Sequence, residues 1–330
     1  MLKTTLICTA GAFGAWSITR QLTRRVPRVF MLHRFAAGPS AQHMGALQFE
    51  RLLDRLAAEF ELLTLRDLAH RLDERRATSR PLAAITVDDG YADFHDIALP
   101  ILAARGLPAT IYATAGFVDG TCWLWWDALR YLVDRHPGGT LVLQLSDTGF
   151  REPIDTPAGR ERARSMIAEH LVTRNADRAL ALAQLQVAAG IELPSRPPPE
   201  YAAMNWEQLR ACQAAGIEVG GHTMTHAYLP ALDEAALRHE VGDAKTMLES
   251  RLDQPLQTFA YPNGMPYDWS QKVEDAVRSA GFTAAVLAHP RPFDPQARFR
   301  IGRWSVGPDD PQLDHIMSGA SDLKLKVRGR

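Results

Sequence analysis

Along this chain the apolar positions fall into short runs and helical repeats that alternate with one another. Residues 29–35 are mostly apolar, and Phe49, Leu52, Leu53, Leu56 and Phe60 then recur at helical spacing. That pattern predicts a strand followed by an amphipathic helix. A short strand is expected at 62–65 and a charged amphipathic helix at 66–75. The run 82–87 after Pro81 is short, apolar and partly β-branched, which predicts a strand buried on both faces of a parallel sheet. The rhythm continues with a helix that begins at 97 and stops at Gly106, and with a strand at 109–114. A helix at 207–215, with Leu209 and Cys212 inward, precedes a strand at 216–221. Asp233 is a fitting cap for a long helix reaching 252, and Gly281 closes a helix at 270–280. Such alternation predicts an α/β chain, read here as a distorted, incomplete (β/α) barrel.

Residues 121–203 interrupt the rhythm. They open with Trp123, Trp125 and Trp126, pass through charged helical stretches at 160–170 and 177–189, and end among Pro194, Pro197, Pro198 and Pro199. The segment predicts a helical insertion packed beside the barrel mouth. The tryptophans are read as anchors of that insertion in preference to a sugar-stacking platform, because Trp is usually heavily buried. The expected organisation is a weakly apolar segment 1–27, a barrel 28–320 containing the insertion 121–203, and a basic tail 321–330.

A chain of 330 residues that is 46% hydrophobic can bury one large core. A formal net charge of −1, with no Lys/Arg stripe interleaved with aromatics, argues against nucleic acid as a partner. Cys8, Cys122 and Cys212 offer neither metal-ligand spacing nor a disulfide framework, so a reducing compartment fits. Residues 4–18 are only mildly apolar and short for a membrane span, which needs about 20 residues. Arg20, Arg24, Arg25 and Arg28 follow them. The expected location is cytoplasmic, with a weak membrane-surface association as a further option. The basic tail is expected to be a solvated or frayed end.

Candidate chemistry sits at two strand ends. Asp88-Asp89-Gly90 follow the strand at 82–87, and His222 follows the strand at 216–221 with His226 four residues on. Alone, Asp-Asp-Gly reads as a turn, and two His four apart read as an exposed helix face. Placement at the C-terminal ends of two parallel strands, where such barrels carry their chemistry, favours a site. One Asp and two His would hold a divalent metal with coordination positions left open, as catalytic sites do. The other Asp is then left to take a proton from water.

Thr86-Val87-Asp88-Asp89-Gly90 resembles the Thr-Phe-Asp-Asp-Gly motif of the polysaccharide deacetylases, carbohydrate esterase family four. His222-Thr223-Met224-Thr225-His226 resembles their His-Ser/Thr-x-x-His motif. Phe259-Ala260-Tyr261-Pro262-Asn263-Gly264 and Val29-Phe30-Met31-Leu32-His33-Arg34-Phe35 resemble segments of one branch of that family. The resemblance spans roughly residues 28–120 and 204–308. It implies Asp88 as base, Asp89, His222 and His226 as metal ligands, and zinc as the expected ion. The implied substrate is an amino-sugar poly- or oligosaccharide that loses N-acetyl groups. Tyr261, Pro262 and Arg303 are expected to bind substrate, and a backbone N–H near Tyr261 to face the oxyanion. Two departures stand out. The Arg that orients the base in better-known members gives way to Tyr261-Pro262, and residues 300–306 lack the His that protonates the leaving amine. His33, at the end of the first strand, is the first candidate for that acid and His289 the second. An O-acetyl esterase, which depends less on a strong acid, and a non-catalytic sugar-binding protein stay open as alternatives.

Overall fold

The computed structural model describes residues 15–74 and 79–328; Cys8 and most of the weakly apolar N-terminal stretch lie outside them. Helix α1 (Ala15–Thr23) leads into β1 (Arg28–Leu32), which is buried throughout. Two short strands, β2 (Phe35–Ala36) and β3 (Met44–Gly45), pair with each other before α2 (Ala46–Glu59). Phe49, Leu52, Leu53 and Leu56 face the core from α2, as their spacing predicts. β4 (Glu61–Leu63), α3 (Leu65–Glu74) and β5 (Leu82–Val87) follow, and every residue of β5 is buried. A π-helical turn, Phe94–Ala98, runs into α4 (Leu99–Arg105), which ends at Gly106 with φ 59°. Strand β6 (Thr110–Ala113) and helix α5 (Ala115–Asp119) complete the first half.

The insertion comprises α6 (Trp125–Arg135), β7 (Thr140–Leu145), β8 (Thr148–Pro153), α7 (Pro157–Leu171) and α8 (Asn175–Ala189). It has a hydrophobic core of its own, with Leu132, Leu143, Leu145, Ile154, Ile167 and Leu185 among its buried members. An antiparallel hairpin, β7 with β8, departs from the helical expectation. Its signal is a period of two: β7 alternates exposed and buried positions. Trp125 is buried in this core, and the Trp123 indole N–H donates to the Pro194 carbonyl at 2.9 Å. Both act as anchors, as expected. Trp126 instead reaches the barrel mouth.

After the insertion come α9 (Trp206–Ala214), β9 (Glu218–Gly221), and α10 (Glu234–Leu237), which passes through a π-helical stretch, Arg238–Asp243, into α11 (Ala244–Leu252). The Asp233 side chain caps α10 by accepting the Ala236 N–H at 2.8 Å. Strand β10 (Thr258–Ala260), α12 (Gln271–Ser279), β11 (Ala284–Val286), β12 (Trp304–Ser305), α13 (Leu313–Ser318) and α14 (Ala320–Arg328) finish the chain. The strand order is β11-β10-β9-β6-β5-β1-β12, all parallel, with β4 paired to the first half of β5. The sheet curls until β11 approaches β1. One short segment spans that gap: Ile301 bridges Val286 of β11, and β12 pairs with β1. The result is the distorted, incomplete barrel that the alternation predicts.

Gly220 and Gly221 let aromatic rings fill the space around β9. A Cβ on Gly220 would lie 2.5 Å from the Tyr112 ring, and one on Gly221 would lie 2.7 Å from the Phe282 ring. At the opposite end of the barrel, the buried Arg28 guanidinium lies 3.3 Å from the Asp322 carboxylate on α14. That pair, and the packing of α14 against α1, keep the chain helical to Arg328 where a frayed tail was expected. Among the described residues, no helix is long and apolar enough to cross a membrane.

Candidate active site

Side chains normally alternate between the two faces of a strand. Past the end of β5 the chain leaves that rule. Asp89 has φ 78° and Gly90 φ 95°, and the turn brings the consecutive carboxylates of Asp88 and Asp89 into one cavity. A left-handed non-glycine residue costs on the order of 1–3 kcal/mol and persists where the surroundings fix it. The second half of the site shows the same feature. His222 follows β9, and the chain then turns with φ 66° at Thr223 and φ 57° at His226. The four-residue spacing of the two His is therefore set by a tight loop rather than a helix. The buried Glu240 carboxylate holds this loop, accepting the N–H groups of Met224 and Thr225 at 3.1 and 2.9 Å and the Thr225 hydroxyl at 2.7 Å. From the insertion, Arg178 donates to the His226 carbonyl at 3.0 Å. Asn175 exchanges two hydrogen bonds with the Tyr228 backbone, at 3.0 and 2.8 Å.

Asp89, His222 and His226 are all buried and place one donor atom each within 4.8 Å of the others. The Nε2 atoms of His222 and His226 lie 3.4 and 3.8 Å from Asp89 Oδ1. His222 Nδ1 must donate to the Ala260 carbonyl at 2.8 Å, which turns the Nε2 lone pair toward the other donors. One carboxylate and two imidazoles with this aim fit a divalent metal. Burial and the neighbouring His222 lower the His226 imidazole to about 3, so it offers a free lone pair at neutral pH. For His222, burial opposes protonation, but Asp89 and Asp88 outweigh it and raise the imidazole.

Asp88 has a different partner. Arg303 donates from Nη1 and Nη2 to the two Asp88 oxygens at 2.6 and 2.7 Å. Its remaining hydrogen bonds go to the Thr86 hydroxyl at 3.1 Å and the Leu287 carbonyl at 3.0 Å. The Tyr112 ring lies 5.7 Å away. Burial alone would raise the Asp88 carboxyl; Arg303 overrides it, with help from His222 and His33, and holds the carboxyl well below the usual range. Arg303 is 0% exposed, so it grips the carboxylate from behind and does not bind substrate. This corrects its expected role and restores, from a different part of the chain, the orienting Arg that the third motif lacks. Arg303 lies in irregular chain just before β12, where no periodicity exists, so the hydrophobic pattern could not reveal it.

The cavity, about 540 Å³, is lined by His33, Asp88, Asp89, Tyr91, Trp126, His222 and His226 among others. His33 Nε2 stands 4.0 Å from Asp88 Oδ2, and its side chain is 44% exposed. His289 is not among the lining residues; its Nδ1 donates to the Gly264 carbonyl at 2.8 Å. Tyr261 and Pro262 do not line the cavity either, which corrects their expected contact with substrate. The Tyr261 ring packs against Phe259 in the main core, and its N–H donates to the Val286 carbonyl at 3.2 Å, so that N–H does not face an oxyanion. Asn263 is the residue of this motif that reaches the cavity.

The pattern also left Tyr91 and Asp127 unnoticed. Tyr91 follows the Asp-Asp-Gly turn and donates its hydroxyl to Asp127 Oδ2 at 2.5 Å, while the Trp126 indole N–H donates to the Tyr91 oxygen at 2.9 Å. Trp126 also meets the His226 ring edge-on at 4.6 Å. Helix α6 therefore braces both motifs. Burial pushes the Asp127 carboxyl up to about 6, against the pull of Tyr91 and Arg34. A carboxyl raised in the native state gives stability that is complete below its unfolded value and is lost as pH rises through its native value. Asp127→Asn keeps an acceptor for Tyr91 and removes the buried charge. We expect the stability difference, variant minus wild type, to grow by about 2–3 kcal/mol between pH 4 and pH 7. Urea unfolding across that range checks it, and a pH-independent difference would refute it.

A family model described as polysaccharide deacetylase matches residues 75–139 and 168–285, more than half of the chain. The chain belongs to the polysaccharide deacetylase family. Membership makes it a hydrolytic enzyme by class, a deacetylase with carbohydrate as its substrate. Solved structures share the fold of this family member at low identity. The Streptococcus pyogenes deacetylase PplD, in complex with acetate, is 13% identical with a TM-score of 0.57, covering 86% of this chain and 94% of that one. IcaB from Ammonifex degensii is 18% identical with a TM-score of 0.55, covering 88% and 97%. A de-N-acetylase from Aggregatibacter actinomycetemcomitans is 12% identical with a TM-score of 0.54, covering 90% and 98%. No curated protein matches the chain.

Proposed function

We propose that this deacetylase is metal-dependent and removes N-acetyl groups from an amino-sugar poly- or oligosaccharide. The observation that supports this reading best is the meeting of two groups in one cavity: the Asp89-His222-His226 donors, and Asp88 held by Arg303 with His33 beside it. When bound, a divalent metal such as zinc supplies Lewis acidity that polarises the acetyl carbonyl and acidifies the attacking water. Asp88, kept ionised and fixed by two hydrogen bonds, takes that water's proton. Arg303 holds the proton affinity of Asp88 down, which keeps the carboxylate ionised and able to accept at neutral pH. His33 gives a proton to the departing amine, from the same side of the cavity as Asp88. An amine leaves as a neutral group only when protonated, so a positioned imidazole favours the N-acetyl over the O-acetyl substrate. Trp126 and Tyr91 line the inner wall of the cavity.

Acetate release from N-acetylated and O-acetylated oligosaccharides, with zinc and with a chelator, tests the reading. Release from the N-acetylated set should stop with the chelator and return with zinc. His226→Ala should lose more than the 10–100-fold typical of residues that only support ligands. Release that survives the chelator, or release from O-acetyl substrates alone, would sink it.

A further inference from the structure

The cavity continues beyond the Asp and His cluster to the insertion, where Gln42, His43, Arg130, Glu200 and Tyr201 line it. Arg130 lies four residues after Trp126 on α6 and so shares its face of the helix, about 5 Å further along. The cations around it are engaged. Arg34 lies 2.5 Å from Asp93 and donates to the Glu200 carbonyl at 2.8 Å. Arg135 pairs with the Glu200 carboxylate at 3.7 Å, and Arg164 pairs with Asp134 and Glu161. Arg130 has no hydrogen bond or ion pair of its own among the described residues, although its charge is felt at His43 and Asp127. The cavity's own carboxylates do not answer it. Asp127 accepts from the Tyr91 hydroxyl and Glu200 faces Arg135.

We propose that Arg130 is a subsite for an anionic group, so that the preferred saccharide carries a carboxylate or phosphate close to the acetylated unit. The planar guanidinium matches either group with two parallel hydrogen bonds. Its half-buried place in the cavity strengthens the attraction relative to open solvent. A neutral chain would cover Arg130 without replacing the water it loses, so charge also works as a selection against neutral substrates. The inference deepens the deacetylase reading and rests on it for the identity of the substrate as a saccharide.

Equilibrium binding by calorimetry and acetate release, measured side by side, form the test. The probes are two matched pairs: chitotetraose against a tetrasaccharide alternating N-acetylglucosamine with glucuronate, and N-acetylglucosamine against N-acetylglucosamine 1-phosphate. Wild type should prefer at least one charged probe over its neutral counterpart by about ten- to a hundredfold, the range for a hydrogen-bonded charge. The preference should shrink as salt rises. Arg130→Gln should remove it and Arg130→Lys should retain part of it. The probe whose preference depends on Arg130 identifies the group as carboxylate or phosphate. Equal affinities in wild type, or a preference untouched by Arg130→Gln, overturn the proposal. Charge-dependent binding with no acetate release would count against the deacetylase reading alone; acetate release with no charge preference would count against the Arg130 subsite alone.

Discussion

Asp88→Asn is expected to slow acetate release about 10²–10⁴-fold, the range a positioned base contributes, while the protein still binds a divalent metal. The substitution keeps the shape and one acceptor oxygen but removes the ability to take a proton. The donors proposed for the metal belong to other residues, Asp89, His222 and His226, so metal content measured by atomic absorption should hold while kcat falls. The two consecutive aspartates thus make separable predictions. Asp89→Asn should lose metal first and activity as a consequence, and excess zinc should restore part of it. Excess zinc should not rescue Asp88→Asn. If Asp88→Asn keeps wild-type kcat with metal bound, Asp88 is not the base and the proton goes elsewhere, with His33 as the next group within reach.

Much of the barrel is legible in the chain because burial on both faces leaves a mark. β5 reads as an unbroken apolar run, and α2 repeats at three and four. The Asp88-Asp89 and His222/His226 halves are legible for a related reason: they stand at the ends of readable strands. What the pattern could not supply is the partnering across the fold. Arg303 sits 215 residues from Asp88, in the irregular segment just before the two-residue strand β12. Its burial depends on an ion pair that no periodicity encodes. Tyr261 shows the converse error. It is an aromatic in a motif and reads as facing substrate, but the chain just past β10 turns its ring into the core beside Phe259. The hairpin β7–β8 carries a plain alternation, but the helical stretches on its C-terminal side dominate the pattern of the whole insertion.

Arg303→Gln should be among the most damaging single substitutions in the chain, and it separates positioning from chemistry. Arg303 makes four hydrogen bonds from a fully buried position, two of them to Asp88. Removing one partner of a buried pair costs about 3–5 kcal/mol, because the other charge is left without compensation. In a chain of this size that lowers the melting temperature by about 4–7 °C. Stability alone would not show that Arg303 serves catalysis. Two further readouts do. Without Arg303 the Asp88 carboxyl rises from its depressed value, so the acid limb of the rate profile should move to higher pH, since only the ionised form accepts a proton. The double variant Asp88→Asn/Arg303→Gln should be less destabilised than the sum of the single variants, because it leaves no unpaired charge behind. Additive losses, together with an acid limb that stays in place, would reduce Arg303 to a packing residue. A shifted limb with a non-additive cycle would establish that this late Arg does for Asp88 what the third motif does elsewhere in the family.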